Sequence, residues 1–231
     1  MFADIPDNLG MKYQDYYDNV APEHYYNWIN LLLLEALPKT GLFWLSYYPK
    51  HDLEISYIVR NLIKNRHPGF SCDKFLWTFT FSQYNDRDCA YGYRPIMRLA
   101  SGGGVTQCYP DQIREISRRQ ELGDYRAAVE GRVPSNVWAI PRVVGNSPER
   151  REWMPTQHPI RLMERILAFS VPLAPSIDPA NGARVVDLFG GSGATLRAGL
   201  KLGLGNIDHV ELSRESCAKL SSELNIPVTL L

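Results

Sequence analysis

Val185-Val186-Asp187-Leu188-Phe189-Gly190-Gly191-Ser192-Gly193-Ala194-Thr195 decides how this chain is read. An apolar run ends in an acid, glycines follow at once, and a helix-forming stretch comes next. The pattern predicts a strand, a tight turn and a helix start. Glycines in such a turn let the backbone approach a ligand with no Cβ in the way. The acid at the strand tip can take hydroxyls or an ammonium group. No basic residue stands in the turn, and the GxxxxGK[ST] spacing of a phosphate loop is missing. The turn suits a nucleoside-type ligand whose charge is not carried by phosphates.

Downstream, a helix is predicted over 194–202 and a strand over 207–212, followed by a helix over 214–224 and a last strand over 228–231. Glu211 lies 24 residues after Asp187 (211 − 187), near the end of the second strand. That is the strand-helix-strand spacing at which an acid grips ribose hydroxyls. Upstream, Ile160, Met163, Ile166 and Leu167 give 159–169 an amphipathic helical period. The N-terminal half reads as a short strand ending at Asp4, a helix over 22–37, a strand over 42–47, a helix over 51–64, and strands over 75–81 and 94–100. Pro6 forbids a continuing helix or central strand, so Asp4 is left at a strand tip. Strands alternating with helices predict an α/β fold with a largely parallel sheet and helices on both faces.

Residues 101–155 differ. They are loop-rich and poor in core, and Arg114, Arg118, Arg119, Arg126, Arg132, Arg142, Arg150 and Arg151 cluster there. Such a stretch suits an insertion for target recognition, and its arginines serve equally well as a solvated face. The chain has 25 Lys+Arg against 25 Asp+Glu, so no global attraction to a polyanion is built in. The 4 cysteines are scattered without a CxxC pair, which argues against zinc and for free thiols in a reducing compartment. No secretory signal is evident, and the apolar stretch 29–37 is too short to cross a bilayer and is broken by Asn30 and Glu35. The chain reads as a soluble cytoplasmic protein.

Three tracts then combine: Met154-Pro155-Thr156-Gln157-His158-Pro159 before the helix, the glycine turn after it, and Phe2-Ala3-Asp4-Ile5-Pro6-Asp7-Asn8-Leu9-Gly10 at the other end. Together they resemble the S-adenosylmethionine-dependent DNA amino-methyltransferases, which modify adenine N6 or cytosine N4. The likeness is to the permuted group in which the catalytic motif precedes the cofactor motif. Thr78-Phe79-Thr80-Phe81-Ser82-Gln83-Tyr84-Asn85 and Val133-Pro134-Ser135-Asn136-Val137-Trp138 also look like family segments. The resemblance implies a Rossmann-like methyltransferase sheet formed by 1–84 and 156–231, with 85–155 as an inserted recognition region. It implies S-adenosyl-L-methionine as cofactor, DNA as partner, no membrane, and room for a homodimer. Asp187, Phe189, Gly190, Gly191, Ser192 and Gly193 would hold the cofactor, Glu211 its ribose, and Thr156, Gln157 and Pro159 would close the pocket. Asp4 would accept a hydrogen bond from the target amino group, with the carbonyl of Pro6 or its neighbour as second acceptor. Adenine N6 is favoured over cytosine N4 because Asp4 leads the motif, in a solitary or phage-type modification enzyme rather than a fused restriction enzyme.

The family tetrad of acid, two prolines and an aromatic reads here Asp4-Ile5-Pro6-Asp7. Asp7 stands where a ring stacks on the flipped base, and only Met1 and Phe2 precede Ala3-Asp4, where relatives carry a longer segment. Tyr13, Tyr16 or Tyr17 could supply a ring instead. Judged alone, Asp4 to Asp7 also fits a surface turn, and Thr156 and Gln157 also fit a helix cap. The alternatives to a DNA-modifying enzyme are a methyltransferase-like subunit that binds DNA or a partner without catalysis, and a methyltransferase acting on RNA or a small molecule.

Overall fold

The computed structural model describes residues 1–13, 15–80, 88–102, 108–173 and 182–227. Seven strands among them form one sheet. They are β1 (Phe2–Asp4), β2 (Leu42–Ser46), β3 (Phe70–Thr78), β4 (Tyr93–Ser101), β5 (Val137–Ala139), β6 (Val185–Asp187) and β7 (Ile207–His209), in the spatial order β5-β3-β4-β2-β1-β6-β7. β1 is parallel to both β2 and β6, β6 to β7, and β3 to β5; β4 alone runs antiparallel to its neighbours. The helices are α1 (Pro22–Ala36), α2 (Asp52–Asn65), α3 (Arg118–Glu121), α4 (Ile160–Ser170), α5 (Ala194–Lys201) and α6 (Arg214–Leu224).

Alternation along the strands divides the core. Phe2, Trp44, Phe75, Trp77 and Ile96 face α4 and α5 and pack on Leu162, Met163, Ile166, Ala194 and Ala198. Ala3, Phe43, Leu45, Met97 and Leu99 point the other way, onto Tyr25, Ile29 and Leu33 of α1 and Ile55, Val59 and Leu62 of α2. The period of two in the strands and the longer helical period are thus matched on each face. Burying each large side chain contributes roughly 1.5–3 kcal/mol. Trp44 also finds a hydrogen-bond partner, donating Nε1–H to Ser170 Oγ at 2.8 Å across 126 residues of sequence.

The structure moves several predicted boundaries. β3 begins at Phe70, five residues before the predicted start at 75. Ser71, Cys72, Asp73 and Lys74 carry no apolar signal, and pairing with β4 holds them in the sheet. β7 ends at His209, so Glu211 lies in the loop beyond it. Pro159 caps α4 from outside the helix. Residues 85–155, assigned to recognition, also build the sheet: they supply β4 and the edge strand β5, and Trp138, Ile140 and Ile113 join the core. The predicted strand over 228–231, the recognition boundary at 84–85, and the part of the family segment from Phe81 to Asn85 lie outside the described residues. No helix among the described residues is long and apolar enough to cross a membrane.

Candidate active site

β1 joins β2 through α1 on one face of the sheet, whereas β6 joins β7 through α5 on the other. The chain therefore leaves the neighbouring tips of β1 and β6 in opposite directions. A crevice opens at such a switch point, and open α/β sheets bind ligands there. Here it widens into a cavity of about 2280 Å³, lined by Asp4 from β1 and Asp187 from β6. That volume exceeds the roughly 300–1,000 Å³ of ordinary small-molecule pockets, and leaves room for two ligands side by side.

On the β6 side, Asp187 is only 2% exposed. Burial pushes its carboxyl up to about 7, against hydrogen bonds from Thr195 and from the Phe189 N–H at 3.1 Å; the nearby charges of Asp4 and Glu211 push the same way as burial. The opposing charge it feels is that of the Met1 ammonium, whose own pKa burial lowers to about 6, and a buried acid so weakly compensated is a ready partner for a cation such as an ammonium group. Gly190 packs flat on the His209 ring, so a Cβ there would drive into it. Both ring nitrogens of His209, which lines the cavity, are buried without a hydrogen-bond partner. Gly191 takes φ +49° and Gly193 φ +77°, backbone states that glycine enters without steric cost. The Glu211 carboxylate accepts the Gly191 N–H at 2.7 Å and the Ser213 N–H at 2.8 Å, tying the glycine turn to the start of α6. A buried acid held near neutrality, an imidazole without hydrogen-bond partners and a close-packed glycine turn fit a polar, cationic nucleoside.

Asp187, Phe189, Gly190, Gly191, Ser192 and Glu211 all line the cavity, joined by Thr156 and Gln157 from the opposite wall. Gly193 and Pro159 sit behind that wall, at the starts of α5 and α4. Gln157 is committed to the preceding loop: its Oε1 accepts the Arg151 N–H at 2.7 Å and its Nε2 donates to the Glu149 carbonyl at 3.2 Å. Thr156 hydrogen-bonds Tyr13, whose hydroxyl burial pushes up to about 12. Tyr13 and Tyr16 line the cavity, while Tyr17 is 70% exposed outside it.

On the β1 side, Asp4 is held from two directions. Arg94 Nη2 donates to Asp4 Oδ1 at 2.6 Å and to Asp7 Oδ1 at 2.8 Å, and its Nε donates to Ser46 Oγ at 2.8 Å. His158 Nδ1 lies 3.3 Å from Asp4 Oδ2. A carboxylate only accepts, so Nδ1 carries the ring proton, and Nε2 lies 3.4 Å from Ser46 Oγ. The His158 ring sits between Trp77 and Phe2, at centroid distances of 5.2 Å and 5.8 Å. Burial lowers the His158 pKa, so the ring is neutral near pH 7. Burial opposes the charge on Asp4 as well, but Arg94, His158 and the hydrogen bonds of Ser46 and Arg94 outweigh it and lower its pKa. Asp4 is therefore a fixed, ionised acceptor with 24% of its side chain still open.

The loop after β1 is equally fixed. Tyr25 donates its hydroxyl to the Pro6 carbonyl at 2.6 Å, and His51 Nε2 donates to the Asp7 carbonyl at 2.8 Å. The buried Asp18 carboxylate accepts the N–H groups of Asn8, Leu9 and Met11 at 2.8, 3.1 and 3.0 Å. Asp4 to Asp7 is thus a braced segment of the cavity wall and not a solvated turn.

Most of the arginine cluster is neutralised within the chain. Arg114 pairs with Asp111, Arg118 with Glu121, Arg126 with Asp124, Arg132 with Glu115 and Arg151 with Glu223, all within 2.9 Å. Arg142 differs. It has no acid partner among the described residues, stacks on Phe79 at 5.1 Å, and lines the cavity. Burial and the charge of Arg94 lower its pKa, against the pull of Asp7. Sequence reasoning missed Arg94 and did not separate Arg142 from its neighbours. The available signal for Arg94 was its place near the start of a strand whose centre, Ile96 and Met97, is apolar.

The DNA methylase family model for N6/N4 enzymes matches residues 1–220. Among solved structures, the M1.HpyAVI–SAM complex superposes with a TM-score of 0.59 at 18% identity, over 96% of this chain and 86% of that one. A second M1.HpyAVI structure gives 0.58 at 16% identity, over 98% and 87%. The putative DNA modification methylase TTHA0409 of Thermus thermophilus, complexed with S-adenosyl-L-methionine, gives 0.52 at 17% identity, over 87% and 76%. At these identities the structural likeness is one of fold. With the family model spanning both the Asp4 and the Asp187 halves of the cavity, the chain belongs to the N6/N4 DNA methylase family.

Proposed function

We propose that this protein transfers a methyl group from S-adenosyl-L-methionine to an exocyclic amino group of a DNA base, adenine N6 in preference to cytosine N4. One observation carries the reading: Asp187 and Asp4, on adjacent parallel strand tips, open into a single cavity large enough for a nucleoside cofactor and a base together. Asp187, with Phe189, Gly190, Gly191 and Ser192, would hold the cofactor's methionine part. Glu211 would keep lone pairs for the ribose, and Thr156 and Gln157 would border the pocket. Bound there, the cofactor supplies an electrophilic methyl group.

The chain's own part is to hold the amine. An exocyclic amine conjugated to its ring is a poor nucleophile. Asp4, fixed and ionised, accepts one of its N–H groups and stabilises the positive charge that develops on nitrogen. The base reaches Asp4 only after leaving the duplex stack. Arg142, an unpaired cation at the cavity, would contact the backbone phosphate beside the extruded base.

Calorimetric titration with S-adenosylmethionine, followed by methyl transfer to mixed-sequence DNA and mass analysis of the digested nucleosides, tests the reading. N6-methyladenine is the expected product. N4-methylcytosine would reverse the base preference, and better transfer to single-stranded RNA would move the substrate class. Binding without any transfer would favour the second reading, a non-catalytic DNA-binding or partner subunit. The occupation of Asp4 Oδ1 and of both Asp7 carboxylate oxygens by Arg94 speaks for that reading.

A further inference from the structure

Resting on the methyl-transfer reading, we propose that Tyr13 is the ring on which the extruded base stacks. A base taken out of the duplex is held by hydrogen bonds along its edge and by stacking on aromatic side chains. Asp7 offers no π face, and Arg94 binds both of its carboxylate oxygens. The stacking ring therefore comes from elsewhere on the cavity wall.

Methyl transfer sets where that ring must stand. The amine has to lie between Asp4 and the cofactor, so the ring belongs where the Asp4 wall meets the cofactor wall. Tyr13 stands there. It lines the cavity, it is hydrogen-bonded to Thr156 on the cofactor wall, and it is close enough to Asp4 and Asp7 to feel the charge of both. Burial and those charges push its hydroxyl up to about 12, so the ring is a neutral phenol near pH 7. The other rings at the cavity fit less well. Trp77 is 3% exposed and packs on His158. Phe79 lies beneath the Arg142 guanidinium at 5.1 Å. Tyr48 meets Tyr91 edge to face at 5.6 Å and feels Asp7, Arg94 and Arg142, with no hydrogen bond to the cofactor wall among the described residues.

The chain builds a rigid mount for Tyr13. Its segment is closed at the neck by Asn8 and Val20: Asn8 Nδ2 donates to the Val20 carbonyl at 3.0 Å, and the Val20 N–H donates to Asn8 Oδ1 at 2.8 Å. Inside the neck the Asp18 carboxylate accepts the N–H groups of Asn8, Leu9 and Met11. Lys12 and Tyr17 form an antiparallel bridge across the tip. Tyr16 meets the Tyr13 ring edge to face, with centroids 6.2 Å apart. A ring mounted in this way has little conformational freedom left to lose when a base settles on it.

The test compares wild type with Tyr13→Leu, Tyr13→Phe and Tyr48→Leu on mixed-sequence DNA, each checked for native circular dichroism and for cofactor Kd by calorimetry. In Tyr13→Leu, kcat/KM for DNA is expected to fall roughly 5- to 150-fold, the span of one lost base–aromatic stack. Tyr13→Phe keeps the ring and drops the Thr156 bond, and should stay within about threefold of wild type. Cofactor Kd should move little in either. Tyr13→Leu turning over like wild type overturns the platform. So does Tyr13→Phe as slow as Tyr13→Leu, which gives the role to the hydroxyl, or a Tyr13→Leu defect confined to cofactor Kd. A larger loss in Tyr48→Leu than in Tyr13→Leu moves the platform to that ring and overturns it too. All four outcomes leave the methyl-transfer reading standing. Should Tyr13→Leu not fold, Tyr13→Met decides in the same way. A wild type that binds cofactor but methylates neither adenine nor cytosine overturns both.

Discussion

Phe2 and Asp187 are register partners across the parallel pair β1–β6, and the Leu188 N–H donates to the Phe2 carbonyl at 3.0 Å. Asp4 therefore stands two residues further along its strand than Asp187 does on its own. The two acids are offset along the crevice, and on the proposed function that offset separates the cofactor from the substrate on one sheet.

Asp187 is expected to cost stability in the ligand-free protein. Its folded pKa of about 7 lies above the unfolded value, so the ionised form is disfavoured and stability falls as pH rises from 4 through 7. The shift corresponds to at most about 4 kcal/mol. Asp187→Asn should melt several degrees higher than wild type at pH 8, with little difference near pH 4, yet lose cofactor affinity. Thermal melts at both pH values, paired with calorimetry, check it; a lower melting point at pH 8 would contradict the burial argument.

Cofactor binding should also release protons. A cation seated beside Asp187 favours its ionised form, so the carboxyl gives up its proton on binding below about pH 7. Affinity then weakens as pH falls from 7 to 5. Calorimetry at pH 6 in buffers of different ionisation enthalpy should report close to one proton released per cofactor, and buffer-independent heats would refute it.

Gly190→Ala should displace the turn, because the added carbon meets the His209 ring with no free space. We expect at least a tenfold loss of cofactor affinity with the fold retained. Pairing it with His209→Ala, which clears the space, should recover part of the loss; no recovery would mean that the glycine serves something other than close approach.

Arg94→Met removes the cation that keeps Asp4 ionised despite its burial. Breaking such a pair costs about 3–5 kcal/mol. In the folded variant the Asp4 pKa rises toward the value burial alone would set, so the acidic limb of the rate–pH profile should move to higher pH. Arg94→Lys, which keeps the charge, should move it less. An unshifted limb in Arg94→Met would separate Arg94 from the ionisation of Asp4.

Arg142→Ala should weaken DNA binding and reduce the salt slope by about one. Cofactor affinity should stay unchanged. Filter binding from 50 to 200 mM salt reads both quantities, and an unaltered slope would exclude a phosphate contact.

The strand, glycine turn and helix at 185–201 were legible because their signals are local: an apolar run, positive-φ glycines, a helical period. Asp4 was legible as a strand tip because Pro6 stops the strand. The partnership of Arg94 with Asp4 was not, since 90 residues separate them and antiparallel pairing of β4 with β2 brings them together. Asp7 read as a missing ring because its compensating charge was equally distant. The arginine cluster read equally as a solvated face or a phosphate-contacting one, and the pairing of Arg114, Arg118, Arg126 and Arg132 with Asp111, Glu121, Asp124 and Glu115 rests on side-chain geometry that a count of basic residues does not carry.

That internal balance has a kinetic consequence. A face whose guanidinium groups are already matched casts little field beyond its own surface, so it does not draw a duplex in from afar. On the proposed function, encounter with DNA would then proceed near the unsteered rate of roughly 10⁵–10⁷ M⁻¹s⁻¹, and discrimination among sites would fall to the groups around the cleft mouth.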